Sequence, residues 1–319
     1  MKKLIAMILC VTSLAIMLTG CSNDKKKGAF TVDKVAVTYV KAPLNVPSMV
    51  EKSQGLFAKG FSEYNLPVKY FELTAGPDQT AALASGDIQF LYAVGGTSVL
   101  LSAANGADIK IISMYSRSPE AFMMFSKDDS ISAPADLKGK TIVGPKGTNL
   151  HELLLAYLKQ GGLTQRDVNF VSMDLPSALA ALEGGSADVA LQAGASAYNL
   201  KKKGMHMVTN GAGLIDATIV VATSNDFYQK NPALVKKFLD VQKSTLTYMN
   251  ANYDQTMEIA AKETGLDTAA VKEMYPMYNF DMQITEPDIR SLEKTCAFML
   301  ENGMLGNKVD VRNLILQVN

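Results

Sequence analysis

From Lys34 onward the apolar positions switch between two rhythms, one of period two and one near 3.6. Residues 34–40 (KVAVTYV) alternate and are β-branched, which predicts a first strand. Asn45 stands where an N-cap is needed for a helix through residues 46–52 that stops near Gly55. Residues 68–73 predict a second strand, Pro77-Asp78 opens a further helix, and residues 109–114 read as another strand. Residues 121–126 form an apolar run before a turn-rich stretch at 127–134. The rhythm then returns, with strands at 141–143, 169–173 and 205–208 and a helix from about Leu150 to Lys159. Residues 217–222 are again apolar and β-branched, preceded by Asn210-Gly211-Ala212-Gly213. Beyond them the pattern is helical. Asn231-Pro232 supplies a cap and a first-turn proline, and Leu234, Phe238, Val241, Thr245 and Met249 recur on one face. One more helix runs to Gly265, and another from Thr285-Glu286-Pro287 to Gly303.

Two stretches align without a gap: residues 81–90 (AALASGDIQF) and 180–189 (AALEGGSADV). Each reads as the end of an Ala/Leu helix, a glycine break and a short apolar strand, glycine closing the helix in a left-handed conformation. A unit used twice predicts two lobes of similar build with a cleft between them. Alternating strands and helices give an α/β fold class with largely parallel sheets. If residues 122–126 and 217–222 both cross between lobes, residues 127–216 form an inserted second lobe. The first lobe is then made from 34–126 and 217–319.

The first thirty residues change the picture. Met1-Lys2-Lys3 is basic, residues 4–18 are apolar, and Leu18-Thr19-Gly20-Cys21 follows. The run is too short to span a bilayer, so residues 1–20 read as a signal peptide. The small residues before Cys21 resemble the lipobox of bacterial lipoproteins, which implies cleavage before Cys21, its lipidation, and an extracytoplasmic chain anchored to the cell membrane. Residues 21–33, polar and rich in lysine, suit a tether. Of three cysteines only Cys296 remains outside this segment, so no disulfide forms within the mature chain and the core must hold it. Lys and Arg balance Asp and Glu at 31 each, with no basic patch beyond the two KKK runs, which gives nucleic-acid binding no support.

Four local patterns carry a family resemblance. They are Glu51-Lys52-Ser53-Gln54-Gly55-Leu56-Phe57 after the first strand; residues 82–90; residues 135–142 running into Gly147-Thr148 and His151; and Asn225-Asp226-Phe227 followed by Asn231-Pro232-Ala233-Leu234-Val235. Together, over most of the chain from Lys34, they resemble the extracytoplasmic solute-binding proteins of ABC importers. The group is the one named for nitrate, sulfonate and taurine binders and for thiamine-pyrimidine binders. The resemblance implies a type II periplasmic-binding fold, two lobes closing on a small-molecule ligand, delivery to a permease subunit, a monomer, and no cofactor. The sequence departs from the family in having no tryptophan, so an aromatic cleft wall falls to Tyr or Phe, and in placing Gln89 where an acid is usual.

Candidate ligand residues follow from two turns placed after strands and before helices, Gly95-Gly96-Thr97-Ser98 and 144–149 with Gly147, Thr148 and Asn149. Ligands of open α/β sheets bind beyond the carboxyl ends of strands, where helix starts offer free N–H groups and partial positive charge. One turn per lobe is expected to grip an oxyanion, with hydroxyls adding donors; ordinary capping is the competing reading. Lys146 adds charge or is solvated. His151 touches ligand or faces solvent. Tyr39, Ala42 and Asn45 follow the first strand as cleft wall. Asp216 is the acid expected, from the taurine-like members, to meet an amine. Tyr275, Tyr278 and Phe280 form a lid or belong to the core.

The resulting expectation is capture of a small sulfonate or taurine-like anion. A thiamine-precursor pyrimidine or other flat aromatic, stacked by Tyr39 or Tyr278, is the alternative ligand. An anchored sensor module is a rival of another class. An enzyme is a further rival, but HExxH, CxxC, GxxxxGK[ST] and GxSxG are all absent, as is the cysteine-rich iron motif implied for the thiamine-pyrimidine synthases of this fold.

Overall fold

The structure is a computed structural model and describes residues 30–318. The signal peptide, Cys21 and most of the tether lie outside the described residues. The strands are β1 (Val35–Thr38), β2 (Val68–Phe71), β3 (Leu91–Gly95), β4 (Lys110–Arg117), β5 (Phe122–Ser126), β6 (Thr141–Gly144), β7 (Asn169–Ser172), β8 (Val189–Ala193), β9 (His206–Asn210) and β10 (Thr218–Thr223).

They assemble into two lobes with one topology. In the first, β1 pairs with β2 in parallel, and a parallel bridge from Val37 to Phe90 joins it to the chain entering β3. The return strand β10 runs antiparallel between β3 and β4. The order is thus β2-β1-β3-β10-β4. The second lobe is a continuous sheet in the order β7-β6-β8-β5-β9, with β5 antiparallel to both neighbours. Each lobe therefore holds one antiparallel strand that the chain places on its way between lobes. The two echoing stretches precede β3 and β8, which occupy the same place in their sheets.

One boundary differs from the expectation. Residues 122–126 pair with β8 and β9, so they are part of the second sheet, and the chain changes lobes just before them at 118–121. The run is apolar because its strand lies inside the second sheet, with every residue buried. The chain returns through 211–217.

Helix ends follow the expected chemistry in part. Gly55 closes the helix Val46–Gln54 at φ 62°, a conformation that costs glycine nothing sterically. The five residues predicted to share a face of the helix Pro232–Ala251 are all buried. There Phe238 stacks on Phe90 at a centroid distance of 4.1 Å and on Phe57 at 4.5 Å. Asn231 and Asn45, by contrast, do not cap through their side chains. Asn231 ties down the N-terminal segment through Thr31, and Asn45 turns back onto its own loop. No helix of the described residues is long and apolar enough to cross a membrane.

Candidate ligand-binding site

A cavity of about 460 Å³ lies between the lobes, and six helix starts border it. In the first lobe these are Val46–Gln54, Gly76–Ala84 and Gly96–Ala104; in the second, Asn149–Gln160, Leu175–Gly184 and Gly194–Lys202. Each follows a strand, so the cavity sits at the carboxyl ends of both sheets. The helices starting at Gly76, Gly96, Asn149 and Gly194 have no side-chain cap, with Ala75, Gly95, Thr148 and Ala193 at the cap positions. Alanine and glycine there are weak or absent partners for first-turn amides. Each start brings about half a unit of positive charge. The other two starts are occupied: Asp174 caps through Ser177 N–H, and Ser48 N–H donates to Tyr115 Oη at 3.1 Å. Four uncapped helix starts around one cavity offer backbone amides of the kind that suit an anion, and among the described residues Lys41 is the one cationic side chain on the lining.

The rest of the lining is mostly apolar, including Val40, Phe122, Leu150, Leu175, Leu179 and Ile219. Charged groups stand at its mouth. Tyr39 Oη donates to Glu263 Oε2 at 2.6 Å, and Lys41 reaches the same oxygen at 3.5 Å. That bond and the lysines hold the Glu263 carboxyl below its ordinary range, while burial and then Glu263 push the Tyr39 hydroxyl up. Lys52 sits 3.7 Å from the Tyr39 ring centre and pairs with Glu72.

Tyr39, Asn45, Ser98, Thr148 and Asn149 line the cavity, as do Ala42 and Gly95. Gly96, Thr97, Gly147, His151 and Asp216 do not, and each has a physical reason. A Cβ on Gly96 would meet Leu292 and Thr218 at 2.7 Å, so this glycine serves close packing. Thr97 faces away, into a buried contact between lobes. Gly147 holds φ +74°, and its carbonyl accepts from Ser98 Oγ at 2.8 Å, so the two turns expected to grip a ligand from opposite sides touch one another. His151 is buried, stacks on Phe170 with ring centres 4.8 Å apart, accepts Gly147 N–H at Nδ1 and meets Gln165 through Nε2. Burial lowers its pKa, which keeps it neutral and makes it a fixture of the turn. Asp216 is half-buried and faces Lys294 at 3.8 Å. Lys146 lies outside the lining, and Tyr278 and Phe280 stack within the core at 5.7 Å rather than forming a lid.

The contact made by Thr97 is a polar latch between lobes. Its hydroxyl lies 2.6 Å from Asn149 Oδ1 and 2.8 Å from Glu152 Oε2, while Thr295 Oγ1 donates to Glu152 Oε1 at 2.9 Å. A hydroxyl has one proton. Asn149 Nδ2 faces Thr218 O at 3.4 Å, which aims its oxygen at Thr97. Both contacts are satisfied when Glu152 carries a proton and donates to Thr97. Burial raises the Glu152 pKa in that direction.

The profile of the NMT1/THI5-like family matches residues 45–256, more than half of the chain. The chain belongs to that family. An Escherichia coli (strain K12) protein named for binding aliphatic sulfonates is 26% identical over 290 residues, covering 89% of each chain. The taurine-binding periplasmic protein of the same organism is 29% identical over 216 residues, 66% of this chain and 65% of that one. Among solved structures, the alkanesulfonate-binding protein SsuA from Xanthomonas axonopodis pv. citri, bound to MOPS, superposes with a TM-score of 0.81. It is 22% identical and covers 89% of this chain and 98% of that one. Its likeness establishes the periplasmic-binding fold for this family member.

Several lining residues escaped the sequence reading: Gln79, Glu72, Asp174, Ser196 and Glu263. Ser196 was within reach. Gly194 follows β8 as Gly96 follows β3, and carrying the echo from residues 95–98 a few residues further points to 194–197. Glu263 arrives from a distant helix, Tyr253–Thr264, and has no local signature.

Proposed function

We propose that the chain is the extracytoplasmic solute-binding component of an ABC importer. It holds a small organosulfonate between its lobes and hands it to a permease subunit. The observation that carries this reading is the set of four uncapped helix starts on one largely apolar cavity. Backbone amides with Lys41 as the single lining cation suit a diffuse monoanion; a dianionic phosphate calls for more charged partners. The apolar walls suit the organic body of such an ion, and about 460 Å³ is within the size range of sites for drug-sized molecules. The names of the relatives point the same way. Of the aromatics needed to stack a pyrimidine, Tyr39 lines the cavity but is tied to Glu263, and Tyr278 does not line it. Membrane anchoring through lipidated Cys21, and a monomeric state, complete the proposal.

A thermal-shift screen of the soluble chain against alkanesulfonates, carboxylates, phosphate and pyrimidines tests it. Ligand at about 100 times its Kd adds roughly 2.7 kcal/mol, a shift of a few degrees. Stabilisation by sulfonates is the expected result. Stabilisation by pyrimidines alone, or by none of the panel, contradicts the ligand class.

A further inference from the structure

Glu152 belongs to the second lobe and is buried against the first. It lies in the opening turn of the helix Asn149–Gln160, whose start borders the cavity. Both hydroxyls that meet its carboxyl, Thr97 and Thr295, come from first-lobe helices, Gly96–Ala104 and Glu286–Glu301. Thr97 also meets Asn149 Oδ1, so one hydroxyl proton faces two oxygens, 2.6 Å and 2.8 Å away. With Asn149 Nδ2 turned to Thr218 O, every oxygen is satisfied when Glu152 donates to Thr97 and Thr97 donates to Asn149, a residue of the cavity lining.

The same carboxyl stands one turn behind amides that suit an anion. Ser98 and Thr148 on the lining donate to Gly147 O and Pro145 O, so, against the expectation that these hydroxyls add donors, an anion is left to the backbone amides. An ionised Glu152 offsets the partial positive charge of its helix start and repels an anion there. A protonated Glu152 leaves that charge to the solute.

Few charges surround it. The helix Gly96–Ala104 and the strands β5 and β8, which pack against its helix, carry no titratable side chain. Burial comes first among the influences on Glu152 and favours the neutral acid; at longer range Asp216 favours it too, and Lys294 opposes it. Of the remaining neighbours, His151 is held by Gly147 N–H and Gln165, Lys159 pairs with Glu301, and Asp136 accepts Ser132 and Ala133 N–H.

We propose that Glu152 is a positioning residue of the solute site that binds the anion in its protonated form, so that solute capture takes up a proton there. This rests on the sulfonate reading above and adds a coupling to it. Loss of the proton withdraws the donor that holds Thr97 onto Asn149 across the lobes, and it sets a negative charge behind the incoming anion. Both effects act in one direction. The coupling is reciprocal: protonation favours the anion, and the anion favours protonation. Affinity is full where the free chain already holds the proton and falls as pH rises beyond that point.

Ethanesulfonate is the probe, because its acid group stays ionised and it has no other titrating group. Titration calorimetry on the soluble chain, in sulfonate-free buffers of different ionisation enthalpy, reads both Kd and the protons exchanged. Kd is expected to rise from about pH 6 to about pH 8, by at most about tenfold per pH unit, with a proton taken up on binding. Glu152→Gln keeps an accepting oxygen for Thr295 and a donor for Thr97; it is expected to bind equally at both pH values and to take up no proton. Glu51→Gln, at the other buried carboxyl with a raised pKa, is expected to keep both signatures. Lys294→Gln, an exposed change, removes the cation that favours the ionised form and is expected to move the fall in affinity to higher pH. Binding that is independent of pH, with no proton taken up, overturns the proposal and leaves the sulfonate reading standing. A pH dependence that persists in Glu152→Gln, or a fall unmoved in Lys294→Gln, overturns the assignment to Glu152. No binding of ethanesulfonate at any pH overturns both the proposal and the sulfonate reading.

Discussion

Strand for strand, β1, β2 and β3 of the first lobe correspond to β6, β7 and β8 of the second, and each leads to a helix start on the cavity. What the lobes present there differs. In the second lobe the polar lining side chains are engaged within the protein: Thr148 with Pro145 O, Asn149 with Thr97 and Thr218, Asp174 with Ser177 N–H, Ser196 with Gln192. Around them stand Pro145, Leu150, Leu175 and Leu179. In the first lobe Asn45 and Gln79 are unmatched, and Glu72, Glu263 and Lys41 gather at the mouth. Duplicated topology supplies the same backbone amides from both sides, while the unpartnered polar atoms of the lining residues belong to one lobe.

The lobes must meet closely for this division to hold, and Gly194 is one place where they pack tightly. It starts a second-lobe helix at φ +67°, and a Cβ there would lie 2.0 Å from Pro43 O of the first lobe. Gly194→Ala is expected to lower sulfonate affinity roughly tenfold to a hundredfold through overpacking of about 1–3 kcal/mol against the first lobe, while its left-handed strain of roughly 1–2 kcal/mol falls on the stability of the fold. Gly185→Ala, in the same lobe at φ +76° with open space around it, carries the strain alone. Its expected affinity is near wild type by calorimetry. Equal losses in both variants would break the claim that lobe contact at Gly194 matters.

Thr97→Val removes the hydroxyl shared by Asn149 and Glu152. Buried groups left unmatched cost about 1–3 kcal/mol, read as a lower denaturation midpoint. An unchanged midpoint contradicts the latch.

The first lobe also carries unmatched polarity in its own core. Glu51 is fully buried and accepts from Phe57 N–H and Tyr70 Oη, yet its Oε2 has no partner. Burial pushes its pKa up to about 7. A raised folded-state value means the native protein holds the proton more tightly than the unfolded chain. The stability this contributes is full below the ordinary carboxylate range and is lost as pH rises through about 7. Glu51→Gln keeps the accepting oxygen and is expected to flatten that fall, gaining on the order of 1 kcal/mol at pH 8. Parallel Tm–pH curves for the two proteins would show that Glu51 does not titrate there.

The smallest effects are expected where the sequence reading had looked for ligand. Asp216→Asn, half-buried beside Lys294 and off the cavity lining, should change sulfonate affinity by less than about 0.5 kcal/mol. A tenfold loss by calorimetry would restore Asp216 to the site.

The architecture was legible because periodicity and glycine breaks act locally: the echo at 81–90 and 180–189 marks equivalent strands, and the five spaced residues of the helix Pro232–Ala251 are buried. The site was half legible. Residues 95–98 and 147–149 lie at helix starts, which sequence can place, but whether a hydroxyl faces the cavity or the other lobe depends on how the lobes meet. Thr97 and Ser98 are neighbours whose hydroxyls both reach the second lobe, yet only Ser98 lines the cavity. Gln79 and Glu263 reach the cavity through tertiary packing, and nothing in their local sequence marks them.

The central claim is that helix-start amides from both lobes hold the anion. A crystal structure of the chain with 2-aminoethanesulfonate tests it most directly. The account predicts the sulfonate among the starts at Gly76, Gly96, Asn149 and Gly194, its oxygens roughly 2.7–3.2 Å from backbone nitrogens of both lobes. A sulfonate held by Lys41 or Lys52 at the mouth, with those amides free of it, would contradict the account.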